Sequence, residues 1–217
     1  MIKTIFFDTS DTLYQSDELT HDQEECAVRL LAERKKMALK EAENTFNEKK
    51  EQLEHKLEHV TKAHILIEFG IARTELQEYL TNNLDPKKYL KQDQELANVI
   101  ERLSKKYGLG ILTNVNKKFA EKILEAQGVS PKYFSYFVTA DNTINTKPHP
   151  EPFKKAIELC KNNPQEIVFV GDSYSKDIMP AKREGMKTIW VTTESDKKEA
   201  DGKIKNVKEL EKELKKI

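Results

Sequence analysis

The chain predicts an α/β fold, a parallel-sheet core carrying an inserted all-helical segment, on three observations. Short apolar, β-branched or aromatic runs recur at residues 2–7, 108–112, 136–140, 166–170 and 188–192, the composition of buried strands. The later runs alternate with segments of helical pattern, which implies parallel strands joined by right-handed crossovers. From residue 16 to about 83 that rhythm stops. This stretch is rich in Glu, Lys, Gln, Leu and Ala, and Gly70 is its one glycine; that is strong helix composition.

Taken in order, residues 2–7 form a strand that closes on Asp8 and the small polar residues Thr9, Ser10, Asp11 and Thr12. A strand ending in an acid and a tight polar loop puts that acid at the carboxyl edge of the sheet, where open α/β sheets bind ligands. By itself the pattern fits an Asx-type turn equally well. In the helical stretch, Asp22 is placed to cap a first helix through Ala27, Leu30 and Leu31. A second is expected over 40–60, with Ala42, Phe46, Leu53 and Leu57 as its apolar contacts. A short piece over 63–69 stops at Gly70, and another helix covers 73–80. Inside the second, His55-Lys56-Leu57-Glu58-His59 matches the H-x-x-E-H pattern of one class of zinc peptidases. Its surroundings are charged throughout and no Cys or His cluster accompanies it, so it reads as a solvated helix face.

Asp85-Pro86 signals a turn, and the α/β rhythm resumes. Asp93 caps a helix through Leu96, Val99, Ile100 and Leu103, and the strand at 108–112 ends in Thr113-Asn114. A helix over 117–127 stops at Gly128; the strand at 136–140 leads into a loop holding Lys147, and Pro150 opens a helix to about 162. The strand at 166–170 runs into Gly171-Asp172-Ser173, a helix over 177–184 stops at Gly185, and 188–192 is a fifth strand. Residues 202–217 hold a short edge strand and a final amphipathic helix.

The 217 residues suit one large domain, or a core with a smaller insertion. Lys plus Arg equals Asp plus Glu, 37 each, so no net basic field draws nucleic acid or an anionic membrane. Cys26 and Cys160 have no ligand-like spacing and read as reduced thiols. No run approaches a transmembrane length, and the N-terminal one is too short for a signal peptide. A cytoplasmic protein is expected; its oligomeric state stays open.

Four polar clusters thus fall at or just past successive strand ends: Asp8, Thr113-Asn114, Lys147 and Asp172. Parallel strands would gather them on one rim. Two carboxylates at adjacent strand ends repel unless a cation lies between them, and Mg²⁺, a hard ion content with few carboxylates and several waters, suits the place. Thr113 and Lys147 facing that ion would neutralise a dianionic phosphate, leaving an ionised Asp as nucleophile. The bland alternatives are a helix N-cap for Asp172-Ser173 and a solvated loop for Lys147.

These residues resemble the motifs of the haloacid dehalogenase-like hydrolase superfamily. The first motif, a strand ending D-x-D-x-T, is matched by Asp8-Thr9-Ser10-Asp11-Thr12; the second, a strand ending in Ser or Thr, by Thr113. The third, a Lys before a proline-rich helix start, is matched by Lys147-Pro148-His149-Pro150-Glu151-Pro152-Phe153, and the fourth by Gly171-Asp172-Ser173 with Asp177. The resemblance implies a Rossmann-like core over 1–15 and 90–217, and a helical C1-type cap over 16–89 that closes on the site and selects substrate. It implies Asp8 as nucleophile and Mg²⁺ ligand, Asp172 as the second carboxylate ligand, and the Ser10 carbonyl as a third. Thr113, Asn114 and Lys147 would hold the phosphoryl group. Asp177 would orient Lys147 or a metal-bound water, with Ser173 and Asp11 in support.

One departure bears on the chemistry. Phosphatases of the family carry an acid two residues after the nucleophile, where this chain has Ser10, and glycine where it has Asp11. A hydroxyl with an alcohol's pKa cannot shuttle protons near neutral pH. The expected function is Mg²⁺-dependent hydrolysis of a small phosphorylated metabolite, nucleotides among the options, through an aspartyl-phosphate and at a slow rate. The alternative is a phosphate- or partner-binding protein that kept the fold and lost efficient catalysis. A haloacid dehalogenase is the third reading, and Asp172 argues against it.

Overall fold

The computed structural model describes residues 1–193 and 199–217. By its internal contacts the chain forms two compact units, Met1–Ser16 with Leu90–Ile217, and Asp17–Tyr89.

Strand β1 (Thr4–Phe7) is wholly buried. The helical unit follows, with α1 (Asp17–Lys35), α2 (Leu39–Glu54), α3 (Lys62–Ile67) and α4 (Arg73–Asn83). Helix α1 packs on α2, α3 and α4, burying residues such as Leu30 and Leu31, Ala42 and Phe46, Leu66, and Leu80. Two boundaries in particular differ from the sequence expectation. Helix α1 starts at Asp17, so Asp22 lies inside it, where its carboxylate accepts a hydrogen bond from the Tyr89 hydroxyl. An acidic residue suits a first turn as well as a cap, and Asp17 and Glu18 hold that place. Helix α2 ends at Glu54, short of the expected 60, so the two histidines of the H-x-x-E-H match lie beyond its end and do not share a helical face. The unit closes with Asp85 capping a 3-10 turn, Pro86–Lys88.

In the other unit the order is α5 (Gln94–Ser104), β2 (Gly108–Leu112), α6 (Lys117–Ala126), β3 (Tyr136–Val138), α7 (Pro150–Cys160) and β4 (Ile167–Gly171). Helix α8 (Met179–Arg183), strands β5 (Lys187–Val191) and β6 (Gly202–Ile204), and α9 (Leu210–Glu213) complete it. Capping is as the residues dictate: Asp93 accepts from the Leu96 N–H at 3.0 Å, and Asn116 from the Phe119 N–H at 2.7 Å. The six strands form one sheet in the order β3-β2-β1-β4-β5-β6, every pair parallel.

Alternate residues of each central strand point to opposite faces, and both faces are covered, as an all-parallel sheet requires. Ile5, Phe7, Val168 and Val170 join one core with residues of α5, α6 and α9, including Ile100, Leu124 and Leu210. Phe6, Ile167 and Phe169 join the other with Phe153 and Ala156 of α7 and Ala181 of α8. Directly opposite Phe6 in the register is Gly110. A Cβ there would run into the Phe6 ring, which has no exposed surface through which to move away. The Gly110→Ala variant should therefore lose about 1–3 kcal/mol, the usual cost of overpacking a core. Denaturant unfolding measures this; an unchanged midpoint would contradict the packing described.

Candidate active site

The central strand order places β2, β1 and β4 side by side, and each ends in a polar residue at the same edge. Asp8 follows β1, Thr113 follows β2 and Asp172 follows β4. Backbone bonds extend the sheet by one residue at two of these ends: Asp8 N–H donates to the Val170 carbonyl at 2.9 Å, and Thr113 N–H to Val138 at 3.0 Å. Lys147 arrives from the loop after β3. Its backbone is clasped by Asn114, whose Oδ1 accepts the Lys147 N–H at 2.9 Å while its Nδ2 donates to the Lys147 carbonyl at 3.2 Å.

The Lys147 side chain is almost entirely buried, and its Nζ lies 2.7 Å from Asp177 Oδ1 and 2.8 Å from Asp8 Oδ1. Burial opposes its charge, but the carboxylates of Asp177 and Asp8 outweigh that cost and hold its pKa above the ordinary value. The ammonium stays charged.

Asp177 is set beneath the site by a π-helical turn, Tyr174–Ile178. Its Oδ2 accepts the Ser173 N–H at 3.1 Å, while the Ser173 hydroxyl caps the same turn by accepting from Lys176 N–H at 3.3 Å. Gly171 makes room for it. A Cβ at that position would sit 2.6 Å from the Asp177 Cβ. Asp172 is fixed through its backbone carbonyl, which accepts from Trp190 Nε1 at 2.6 Å, and its Oδ1 accepts from Thr12 Oγ1 at 3.3 Å.

Oxygen atoms of Asp8, Asp172 and Asp177 all lie within 4.8 Å of one another. With Lys147 as counter-charge, three carboxylates remain over-concentrated. Burial first, then the charges of Asp8 and Asp177, push Asp172 up to about 7. Asp177 is also raised, by burial chiefly, against the pull of Lys147. A cluster of hard oxygens with excess negative charge can hold a metal ion, which would relieve that repulsion.

The remaining residues singled out in the sequence lie on the same loops. Thr113 Oγ1 is 2.8 Å from Thr9 Oγ1, and Ser10 Oγ is 2.8 Å from the Tyr14 hydroxyl. Asp11 is exposed, with a φ of 56°, the left-handed region that glycine occupies freely and Asp tolerates better than most residues. Sequence reasoning missed Thr9, Thr12, Tyr14 and Trp190. Thr12 had a signal, its place in the first motif; the partners of Thr9, Tyr14 and Trp190 are matters of tertiary placement.

Three comparisons bear on this geometry. The model of a family described as haloacid dehalogenase-like hydrolase matches residues 5–191. A glyceraldehyde 3-phosphate phosphatase of Pyrococcus furiosus is 30% identical over 209 residues, spanning 87% of this chain and 80% of that one. A phosphoglycolate phosphatase of Escherichia coli is 39% identical over 84 residues, only 39% of this chain and 32% of the relative. Among solved structures, a HAD phosphatase from Thermococcus onnurineus superposes with a TM-score of 0.71 at 25% identity, covering 97% of both chains.

The raised pKa of Asp172 has a consequence for stability. An acid with a higher pKa folded than unfolded favours folding fully below its unfolded value and loses that contribution as the pH climbs through the folded one. In metal-free protein, Asp172 therefore weakens the fold progressively as the pH rises from 3.8 to about 7. The stability of Asp172→Asn relative to wild type should increase across that window in thermal melts. A difference that stays constant with pH would contradict the electrostatic account.

Proposed function

The chain belongs to the haloacid dehalogenase-like hydrolases, and on that footing we propose that it hydrolyses small phosphomonoesters through an aspartyl-phosphate on Asp8. The observation that carries this reading is the buried Lys147 ammonium held between Asp8 and Asp177. A charge this well desolvated is costly unless it is paired with anions, and the pairing sets the ammonium beside the carboxylate proposed as nucleophile.

In this reading one Asp8 oxygen attacks phosphorus, the bond from phosphorus to the ester oxygen breaks, and the alcohol departs. Water then attacks the phosphorus of the acyl phosphate, releasing orthophosphate and restoring the carboxylate. Lys147 has three N–H bonds; two point to carboxylates, and the third is available in the proposal to a phosphoryl oxygen. The Thr113 hydroxyl contributes a further hydrogen bond to the phosphoryl group. Asn114 acts at one remove, by fixing the Lys147 backbone. Asp8, Asp172 and the Ser10 carbonyl would hold Mg²⁺, and the cluster's all-oxygen donors and unbalanced charge fit such an ion. When bound, Mg²⁺ supplies positive charge against the phosphoryl oxygens.

The relatives named as phosphatases of glyceraldehyde 3-phosphate and phosphoglycolate support a short phosphorylated metabolite as substrate. The helical unit Asp17–Tyr89 is proposed as the cap that selects it. Ser10 supports a slow enzyme, because an alcohol hydroxyl at that place cannot protonate an alkoxide or deprotonate water. It equally favours the second reading, a phosphate-binding protein without efficient turnover.

Steady-state phosphate release separates the two. Activated aryl phosphates, which need little protonation as they leave, should be turned over by the wild type and not by Asp8→Asn. Ser10→Asp should raise turnover of alkyl phosphates by ~10²–10⁴-fold, the range of general acid–base catalysis. Asp11→Gly, which suits the left-handed backbone there, should leave it unchanged. Loss of activity in Asp11→Gly would make Asp11 the missing acid. No Asp8-dependent release from any ester in wild type or Ser10→Asp would replace the phosphatase reading with the binding one.

A further inference from the structure

We propose that Tyr14 is a positioning residue for Ser10, and that the two hydroxyls act together as one polarised donor to the leaving oxygen. The inference rests on the phosphatase reading and extends it to a residue that no motif singles out. The Tyr14 hydroxyl lies 2.8 Å from Ser10 Oγ, and the loop between them is closely fixed. Leu13 and Tyr14 N–H both donate to the Thr9 carbonyl, at 2.9 and 3.4 Å, and a backbone bridge joins Ser10 to Tyr14. Asp11 turns the chain in its left-handed conformation. Gln127 Nε2, itself buried, donates to the Leu13 carbonyl at 2.7 Å. Tyr14 is only 7% exposed, so its hydroxyl contact with Ser10 is not a passing surface contact.

Chemistry sets the direction of this bond. A phenol, with a pKa near 10, is a far better donor than an alkanol, and the aliphatic oxygen is the better acceptor. Tyr14 therefore donates and Ser10 accepts, which keeps the Ser10 proton available for another acceptor. Accepting one hydrogen bond strengthens the next one donated along the chain. As Asp8 bonds to phosphorus and the ester oxygen leaves with its electron pair, Ser10 donates a hydrogen bond to that oxygen. The proton the alcohol carries away comes from water. The hydroxyl left behind ends in the orthophosphate released in the second step, so the sum is one ester plus one water. The pair stabilises the leaving oxygen without giving up a proton of its own.

The test compares an alkyl phosphate with p-nitrophenyl phosphate in wild type, Tyr14→Phe, Ser10→Ala and the double variant. Tyr14→Phe keeps the ring and removes one oxygen, so the packing survives. It should lower kcat on the alkyl ester by roughly 3- to 10-fold, the worth of one neutral hydrogen bond, with KM unchanged and the aryl ester affected less than about 2-fold. In the Ser10→Ala background the same change should have no further effect, because Tyr14 acts through Ser10. The proposal is overturned by an equal loss on both esters, by no loss on either, by a loss that persists without Ser10, or by no alkyl turnover in the wild type. Failure of the phosphatase reading shows differently: the wild type then gives no Asp8-dependent release from p-nitrophenyl phosphate.

Discussion

A single buried ammonium organises the edge of this sheet. Lys147 Nζ sits within 2.8 Å of one carboxylate oxygen on each of Asp8 and Asp177; Lys147 and Asp177 are almost wholly buried, while the Asp8 side chain keeps 14% of its surface exposed. Breaking a buried ion pair by removing one partner typically costs about 3–5 kcal/mol, because the other charge is left stranded. Exposed pairs such as Arg102 with Glu211 are worth about 0–1 kcal/mol. The surface pairs can therefore be exchanged freely, while this triplet cannot. Much of the neighbouring structure serves it: Asn114 clasps the Lys147 backbone, Gly171 leaves the space that Asp177 fills, and the Ser173 N–H fixes the second Asp177 oxygen.

Topology explains why these groups meet. Strands β2, β1 and β4 are parallel neighbours, so residues at their carboxyl ends share an edge whatever their separation in sequence. Hydrogen bonds across different loops, hydroxyl to hydroxyl for Thr9 with Thr113 and hydroxyl to carboxylate for Thr12 with Asp172, then tie those loops together. The local conformations are unusual at the same places: a non-glycine residue with positive φ at Asp11, a π-helical turn carrying Asp177, and a carboxyl pushed up to about 7 at Asp172. Departures from local preference of this kind gather where a protein binds or reacts, and the surrounding cores of Phe6, Phe7 and Phe169 sustain them.

How much of this was legible beforehand follows from which signals are local. Apolar runs and caps are local, so strands such as β2 at Gly108–Leu112 and the Asp93 helix start follow from short windows of sequence. The convergence of Asp8, Thr113, Lys147 and Asp172 needed only the inference that the strands run parallel. Helix ends in the charged segment were less legible, because Glu and Lys favour helix without marking where it stops; hence α2 ends at Glu54 and α1 begins before Asp22. The pairing of Tyr14 with Ser10, the clasp of Asn114 on Lys147 and the bond from Trp190 to the Asp172 carbonyl depend on side chains meeting across loops. No pattern in one sequence encodes them.

The central claim is that Asp8 becomes covalently phosphorylated, and trapping that species tests it most directly. The protein is mixed with an activated aryl phosphate and quenched in acid within the first turnovers, and the acyl phosphate is reduced with borohydride. Peptides are then sequenced by mass spectrometry. The account predicts that Asp8 is recovered as the reduced alcohol, homoserine, with Asp172 and Asp177 intact. Phosphate release at the same rate with no reduced residue at Asp8, or with reduction at another carboxylate, would contradict it.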